Sequence, residues 1–296
     1  MTTQTDAPNS MALGYGLGLI GILIFGSTLP VTALALQDFT PAFTTFARGA
    51  IAQITAMALL LALGRKFPKA HWKQLLAGGV ATVLGFPLLM AIALKTVPSA
   101  HGGVVLGVLP LLTAVFATIL AGERPPKLFW VCAIIGAALV IGFSLRDSAM
   151  SIQSGDLWLL AAAVVASLGY VIFGRLSKVM PPWETISWAL VMTAPVSFVA
   201  TYLTFDAANA PSEIAPWLHV LFLGLFSQYL GFFAWNAGLA IGGIAKVGQV
   251  QLLQAFVTIA LSAWLLGEQI SGQTLAFALA VGFVVWVGSR ARTRQT

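Results

Sequence analysis

Residues 98–121 read PSAHGGVVLGVLPLLTAVFATILA, a stretch of 24 residues that contains no Asp, Glu, Lys or Arg. A helix of this length spans about 36 Å at 1.5 Å per residue, which is enough to cross a hydrocarbon core of about 30 Å. Pro98 stands at its start and Gly122 just after its end, where these residue types are favoured at helix termini. The stretch therefore predicts a transmembrane helix.

Similar apolar stretches recur along the whole chain. Of its 296 residues, 59% are hydrophobic and only 8% are charged, whereas a soluble domain carries roughly 25% charged residues. A water-soluble fold could not cover its surface with so few charges, so the sequence predicts an all-α integral membrane protein. The ten predicted transmembrane helices are 11–35, 41–63, 72–93, 98–121, 127–145, 157–178, 183–203, 216–240, 245–266 and 272–289.

The basic residues predict how these helices are oriented. With the N-terminus placed in the cytoplasm, 12 of the 15 Lys and Arg residues fall on the inner side, Lys95 and Arg146 fall outside, and Arg48 lies within a span. Because Lys and Arg accumulate in cytoplasmic loops, this distribution predicts that both termini are cytoplasmic. The basic residues form no aromatic-interleaved patch, so the net charge of +6 predicts no nucleic-acid partner.

The chain resembles itself at a shift of about 145 residues, which predicts two five-helix repeats at 11–145 and 156–289. Because five is odd, the second repeat would cross the membrane in the opposite direction. Two such inverted repeats can open a central cavity to either side in turn, although an old duplication without moving parts would leave the same pattern. The matching residues are Gly85-Phe86 with Gly231-Phe232, Ala100 with Ala245, Gly122-Glu123 with Gly267-Glu268, and Gly136 and Gly142 with Gly282 and Gly288.

Two copies of one motif resemble the EamA type of the drug/metabolite transporter superfamily. The second copy departs from the first at one point, because Ala255 and Phe256 stand where the first has Pro110. The first copy runs from Leu109-Pro110-Leu111-Leu112 through Ala121-Gly122-Glu123-Arg124 to Gly136 and Gly142, and the second from Leu252 through Gly267-Glu268 to Gly282 and Gly288.

This resemblance covers nearly all of residues 11–289. It implies a carrier in the bacterial inner membrane that exports amino acids or other small neutral or zwitterionic metabolites. The closest likeness is to bacterial aromatic amino-acid exporters, which favours an aromatic amino acid as the substrate. Export of amphipathic drugs or of other metabolites, and a channel-like pore, are the alternatives.

Arg48 is the one basic residue that lies well inside a predicted span, about eight residues from the start of that span. At 1.5 Å per residue it would sit roughly 10 Å deep, where a charge is costly unless it is paired or faces water. Its guanidinium fork would suit a substrate carboxylate. Alternatively, the side chain snorkels outward or binds carbonyl groups at neighbouring helix ends.

Two further helices carry faces that suit a solute. Gln251 and Gln254 share one face of the ninth predicted span with Thr258, and a stripe of polar and aromatic residues follows the eighth. Such mixtures of flat apolar surface and a few polar groups are typical of small-molecule sites, although packing and lipid contact explain them equally. The substrate-binding candidates on these helices and on helices that could face them are Gln228, Phe232, Trp235, Gln251, Gln254, Ser27, Phe86, Met90, Tyr170 and Trp188.

The spans contain few acidic residues. The first and sixth, between Met11 and Ala35 and between Leu157 and Lys178, contain no Asp or Glu. Small multidrug exporters of the same superfamily use a carboxylate there to bind protons, so this absence favours a facilitator driven by the solute gradient. His101 is the twelfth substrate-binding candidate, and it keeps a proton route open because the unperturbed pKa of histidine lies near neutrality. A capping or interfacial role is the alternative. The four carboxylates Asp156, Glu123, Glu184 and Glu268 are predicted to lie at helix ends.

Catalysis and cofactor binding are not predicted. The three His residues are far apart in sequence, and Cys132 is the only cysteine, so the chain lacks the elements of a catalytic pair or a thiolate metal site. A small-molecule substrate and the lipid bilayer are the expected partners, and the sequence leaves the oligomeric state open, a monomer included.

Proline and glycine predict the mechanics of the bundle. Pro110 falls in the middle of the fourth span, where it should kink the helix and serve as a hinge or a static bend. Three Gly-x-x-x-Gly pairs predict places where helix backbones approach closely: Gly14 and Gly18, Gly103 and Gly107, and Gly238 and Gly242.

Overall fold

The computed structural model describes residues 7–121, 126–147, 153–242 and 247–290, and within these ranges every regular element is helical. Short 3₁₀ segments lie at Lys69–His71, Leu106–Val108 and Gly248–Gln251, and π-helical segments at Val80–Gly85 and Leu223–Leu230. The α-helices are α1 (Ala7–Gly26), α2 (Thr28–Ala35), α3 (Pro41–Ala62), α4 (Trp72–Gly79), α5 (Phe86–Ala93), α6 (Ser99–Val105), α7 (Leu109–Ala121), α8 (Lys127–Asp147), α9 (Ser154–Leu176), α10 (Pro182–Thr204), α11 (Ile214–Phe222), α12 (Gly231–Gly242), α13 (Leu252–Leu266) and α14 (Gly272–Arg290).

Within the described ranges, seven helical stretches are long and apolar enough to cross a membrane. The prediction of an all-α membrane protein is therefore confirmed. Three shorter apolar helices occupy Trp130–Leu139, Leu253–Leu266 and Gly272–Val284. The seven long stretches are Ala12–Ala35, Pro41–Ala62, Lys69–Ala93, Ser99–Leu120, Ser154–Leu176, Pro182–Thr204 and Ile214–Ile241.

Two of the glycines that the sequence places at span ends adopt the left-handed backbone conformation. Gly64 has φ 59° and Gly267 has φ 66°, values that glycine tolerates because it has no Cβ. They follow the ends of α3 and α13, directly after the predicted spans 41–63 and 245–266. Gly122, Glu123 and Arg124 of the first motif copy, and Ala245, lie outside the described residues.

The first predicted span is broken between α1 and α2 for a reason that the sequence contains. Pro30 has no backbone N–H, so the carbonyl of Gly26, four residues earlier, loses its helical hydrogen bond. The hydroxyl of Thr258 in α13 donates to this carbonyl over 2.8 Å. Thr258, in the second half of the chain, therefore supplies the hydrogen bond that the Gly26 carbonyl loses because of Pro30 in the first half.

Replacing Thr258 with Val should destabilise the protein by about 1–2 kcal/mol, because the Gly26 carbonyl would be left buried without a donor. Thr113 provides the matched control, since it lies 145 residues earlier and its buried hydroxyl has no partner. In the second half, Arg175 stands where Pro30 stands in the first half. No proline therefore frees a backbone carbonyl there for the Thr113 hydroxyl to bind. Thermal unfolding in detergent should therefore show a loss for Thr258→Val and no loss for Thr113→Val. Equal shifts for the two variants would contradict this account.

The two π-helical segments occupy equivalent positions in the two halves. A shift of 145 residues places Val80–Gly85 on residues 225–230, which fall within Leu223–Leu230. Each π segment widens its helix by one residue per turn and turns the following side chains away from the α-helical register. Both segments lie at the centre of the bundle, beside the candidate site described below.

Helices of the two halves pack against each other in a reciprocal way. The first helix of one half, α1, packs on α12, and the corresponding helix of the other half, α9, packs on α5 and its π segment. The helices α3 and α10 form a further pair. The hydrophobic core is consequently shared, because buried residues such as Ile22, Met90 and Leu159 belong to one cluster with Trp235.

Candidate solute-binding cavity

A narrow cavity lies between the two π-helical segments and the helices α1, α2, α3, α5, α9, α12 and α13. Its volume is about 10 Å³, which accommodates about one water molecule. A solute of amino-acid size therefore requires these helices to move apart. Ten residues line the cavity: Phe25, Thr28, Arg48, Thr82, Phe86, Tyr170, Ser227, Gln228, Phe232 and Gln254.

Arg48 brings a positive charge to this cavity from the interior of α3. Its side chain is only 2% exposed, and its Nη2 donates to Ser227 Oγ over 2.9 Å. The Ser227 hydroxyl in turn pairs with Thr28 Oγ1 at 2.7 Å. Nε and Nη1 of Arg48 have no hydrogen-bond partner among the described residues. The side chain does not snorkel outward, and two of its donors remain available for an anion.

Two amide side chains supply acceptors in the same cavity. Gln228 donates through Nε2 to the carbonyl of Thr82 over 3.2 Å, which fixes its amide and leaves Oε1 without a partner. Gln254 Oε1 is also unpartnered. A buried amide oxygen without a donor costs about 1–3 kcal/mol, so both groups favour a ligand that donates hydrogen bonds.

Aromatic rings form the apolar part of the wall. The rings of Phe25 and Tyr170 stack at 6.5 Å with an interplanar angle of 15°, and Phe232 meets Phe25 edge-on at 5.0 Å. Trp235 lies behind them, with its ring 6.2 Å from Phe25 and 6.0 Å from Tyr170. The cavity thus combines one cation, two free amide oxygens and a wall of flat rings.

Three pairs of lining residues are related by the internal repeat. Phe25 and Tyr170 are separated by 145 residues, and Phe86 and Phe232 by 146. Thr82 and Gln228, also 146 residues apart, are joined by the hydrogen bond described above. Equivalent positions of the two halves therefore meet across this cavity.

The structure brings together six of the twelve residues that the sequence proposed for substrate binding. Gln251 does not line this cavity. It lines a second, neighbouring chamber, and Gln254 lines both. Trp235, as noted, backs the aromatic wall without lining it. The six residues that line the cavity are Arg48, Phe86, Tyr170, Gln228, Phe232 and Gln254.

The four other candidates lie elsewhere, and the fourth of them, His101, is described in the next paragraph. Ser27 donates to the carbonyl of Ile24 over 2.6 Å at the break in the first span. Met90 is fully buried in the core. Trp188 packs its ring on Phe67 at 5.4 Å.

His101 is paired with an acidic residue that the sequence places at a helix end. Its Nε2 lies 2.6 Å from Asp156 Oδ1, and Asp156 is only 1% exposed. Asp156 occupies the first turn of α9, as predicted, but the bundle covers it. Of the other acids, Glu184 pairs with Arg65 at 3.3 Å, and Glu268 accepts from the backbone N–H groups of Ser99 and Ala100.

Four lining residues were missed by reasoning from the sequence: Phe25, Thr28, Thr82 and Ser227. The internal repeat could have revealed two of them, because Phe25 is the repeat mate of Tyr170 and Thr82 that of Gln228. Thr28 and Ser227 are small hydroxyl residues of a kind that fills many helix contacts, and neither position stands out by itself.

A 3₁₀ segment, Leu106–Val108, interrupts the helix just before Pro110, where the sequence predicts a kink. Pro110 cannot donate to the carbonyl of Leu106, and the backbone N–H of Leu109 bonds to that carbonyl instead. The second half has a 3₁₀ segment at Gly248–Gln251 without a proline. Both helices are therefore interrupted by a 3₁₀ segment. In the described part of the chain, no group of three or more His, Cys, Asp or Glu residues could hold a metal ion.

Comparison with known proteins gives consistent matches along the chain. The sequence model of the EamA-like transporter family matches it twice, over residues 12–145 and 153–289. YdeK of Bacillus subtilis strain 168, described as an uncharacterized transporter, is 42% identical over 278 residues, which cover 92% of this chain and 96% of that protein. The inner membrane transporter YedA of Escherichia coli K12 is 27% identical over 272 residues, which cover 89% and 85%.

A more distant relative carries a substrate in its name. The aromatic amino acid exporter YddG of Ancylobacter novellus is 26% identical over 239 residues, which cover 78% of this chain and 81% of that protein. One crystal structure matches with a TM-score of 0.66 and 24% identity, over 94% of this chain and 97% of the other. That match establishes a shared fold over nearly the full length.

Proposed function

Because the chain belongs to the EamA-like transporter family, we propose that it exports zwitterionic metabolites, with aromatic amino acids favoured, across the bacterial inner membrane. One observation carries this proposal: the cavity offers unpaired donors on Arg48 and unpaired acceptors on Gln228 and Gln254 beside a wall of rings. The name of the distant relative YddG supports the same substrate class.

The chemistry of an aromatic amino acid matches these groups one by one. Its carboxylate would accept charge-assisted hydrogen bonds from Nε and Nη1 of Arg48. Its ammonium would donate to the amide oxygens of Gln228 and Gln254, since the described lining contains no carboxylate. Its ring would lie against Phe25, Phe232 and their neighbours. Bound solute would also neutralise a buried charge that is otherwise costly in a membrane.

We propose that transport proceeds by alternating access between two inverted repeats. Seven long apolar helices and the three shorter ones would together give ten spans, five in each half. The reciprocal packing of α1 on α12 and of α9 on α5, and the repeat-related residues around the cavity, support this arrangement. The narrow cavity suits an occluded state of such a cycle, with the interruption before Pro110 as one hinge.

Contacts between loops support the sorting of the loops to two sides of the membrane, on which the proposal of cytoplasmic termini from the Lys and Arg distribution depends. Three loops that the charge distribution assigns to the outside meet around one pocket of about 310 Å³, which is lined among others by Asp38, Lys95 and Asp206. Arg65 and Glu184, both assigned to the inside, form an ion pair instead. Loops assigned to one side thus contact each other.

We expect the protein to act as a facilitator, driven by the gradient of its solute. Reconstituted into liposomes, it should take up labelled phenylalanine, tyrosine or tryptophan with saturation, and unlabelled substrate on the opposite side should accelerate uptake. An imposed pH gradient should change the initial rate less than about twofold, because a solute that stays zwitterionic between about pH 5 and 8 carries no net charge.

Each alternative has its own outcome in this assay. Non-saturating flux without counterflow would indicate a pore. Strong dependence on the pH gradient would overturn the facilitator and direct attention to the buried His101–Asp156 pair. If other solutes are transported with saturation and no aromatic amino acid is transported, the protein is still a carrier, but the proposed preference for aromatic amino acids is wrong.

A further inference from the structure

A second chamber adjoins the central cavity and is lined by α2, α6, the 3₁₀ segment before α7, the 3₁₀ segment Gly248–Gln251, and α13. Its volume is also about 10 Å³. Gln254 lines both chambers, so this side chain forms the boundary between them. The residues that line the second chamber are Leu29, Gly103, Leu106, Gly107, Gln251, Gln254, Ala255 and Thr258.

Gln251 is the unusual member of this wall. Its side chain is 3% exposed, and neither Oε1 nor Nε2 has a hydrogen-bond partner among the described residues. A buried amide without partners is strongly unfavourable in a membrane protein, because neither lipid nor an aliphatic neighbour can bond to it. An amide in this position is expected to serve a ligand or a bound water molecule.

None of the other groups that line the chamber bonds to the Gln251 side chain in this structure. Leu29, Leu106 and Ala255 are aliphatic. The hydroxyl of Thr258 is occupied, because it donates to the Gly26 carbonyl. The oxygen of Gln254 is itself unpartnered. The missing partner must therefore come from whatever enters the chamber.

We infer that Gln251 selects among aromatic amino acids by hydrogen bonding to a polar group on the far side of the ring, so that a phenol or an indole is preferred to a phenyl ring. This inference rests on the proposed function. Because Gln254 lines both chambers, a solute whose ammonium binds Gln228 and Gln254 would lie next to the second chamber, and a ring packed against Phe25 and Phe232 would present its far end to that chamber. The amide of Gln251 both donates and accepts, which suits a hydroxyl or an indole N–H.

Competition between close analogues tests the inference. In proteoliposomes that take up labelled tryptophan, tyrosine should inhibit at a concentration about three- to tenfold lower than phenylalanine, the range expected for one neutral hydrogen bond. In Gln251→Met the ratio of the inhibitory concentrations of phenylalanine and tyrosine should fall to about one. The inhibitory concentration of phenylalanine itself should change little. Gln273→Met, the same substitution at an exposed position of α14, should keep the parent ratio.

A measurement on the parent protein keeps the test independent of how the variants fold. Para-fluorophenylalanine carries a small para substituent but has no hydroxyl, so it should inhibit like phenylalanine and unlike tyrosine. A parent ratio of one, or an unchanged ratio in Gln251→Met, would overturn the role of Gln251 and indicate that water alone occupies the chamber. If no aromatic amino acid competes in the parent protein, the proposed substrate is wrong. The proposed role of Gln251 in selecting among aromatic amino acids is then wrong as well.

Discussion

Replacing Arg48 with Met should lower the transport of aromatic amino acids by about 100-fold or more. Removing one partner of a buried, hydrogen-bonded charge pair typically costs about 2–5 kcal/mol, and Arg48 is the only cation among the residues that line the cavity. The variant should fold at least as well as the parent, because the substitution removes a buried charge whose Nε and Nη1 are unpaired. Ser227 keeps a partner in Thr28.

The measurement is the initial rate of uptake of labelled phenylalanine into proteoliposomes, together with the unfolding temperature in detergent. Arg48→Lys should show an intermediate loss of about tenfold, since it keeps the charge but not the two-pronged geometry. Lys73→Met, which removes an exposed cation at the start of α4, should leave uptake unchanged.

Phenethylamine distinguishes a role in binding from a merely structural one, because it lacks the carboxylate. Its inhibition of uptake should be about the same in Arg48→Lys as in the parent, whereas inhibition by phenylalanine should weaken. Uptake by Arg48→Met at the parent rate would contradict the assignment of Arg48 as the carboxylate-binding group.

The class of fold and the central cation could be predicted from the sequence because each depends on a local property. Long uncharged stretches indicate membrane helices whatever surrounds them, and a lone Arg within such a stretch demands a polar environment. Arg48 indeed lies in the cavity, bonded to Ser227. The family is confirmed by the double match to the EamA-like model.

Which residues of the predicted stripe line the cavity could not be predicted, because this depends on departures from the α-helical register. The stripe of Gln228, Phe232 and Trp235 assumes 3.6 residues per turn, but Gln228 belongs to a π-helical segment. Gln228 and Phe232 therefore line the cavity while Trp235 lies behind the rings. The π segments have no evident sequence signature. Because they occur at equivalent positions in both halves, we interpret them as a regular feature of the fold.

Asp156 shows a second limit of local reasoning. Its place in the first turn of α9 is correct, but a position at a helix end does not determine whether the side chain is exposed. The structure instead buries Asp156 against His101. Whether a helix end is exposed depends on the neighbouring helices, and the sequence of one helix does not contain that information.

Gly238→Leu should be the most damaging of the glycine substitutions along the contact between α1 and α12. A Cβ at this position would lie 2.8 Å from the carbonyl oxygen of Gly14 and 2.9 Å from the backbone nitrogen of Gly18. These are backbone atoms, which cannot rotate away as a side chain can. Overpacking in a well-packed contact costs about 1–3 kcal/mol even for small changes, so the leucine should exceed the upper end of that range.

Gly16→Leu is the matched control for this substitution. Gly16 lies on α1 between the two contact glycines, but a Cβ there meets nothing within 4 Å. The same change should therefore leave the unfolding temperature in detergent unchanged or slightly raised, because leucine is the better helix former. For Gly238→Leu, we expect a drop of about 10 °C or more, or loss of the monodisperse protein on size exclusion.

The contact at Gly238 also bears on the cavity, because its two helices carry facing rings. Phe25 is on α1 and Phe232 is on α12, and their centroids are 5.0 Å apart. Gly238→Ala, the mildest version of the change, should push the helices apart without unfolding the protein and so weaken the aromatic wall, which predicts a weaker affinity for phenylalanine than in Gly16→Ala. Equal stability and equal affinity in these two alanine variants would show that the close approach of α1 and α12 matters neither for the bundle nor for the site.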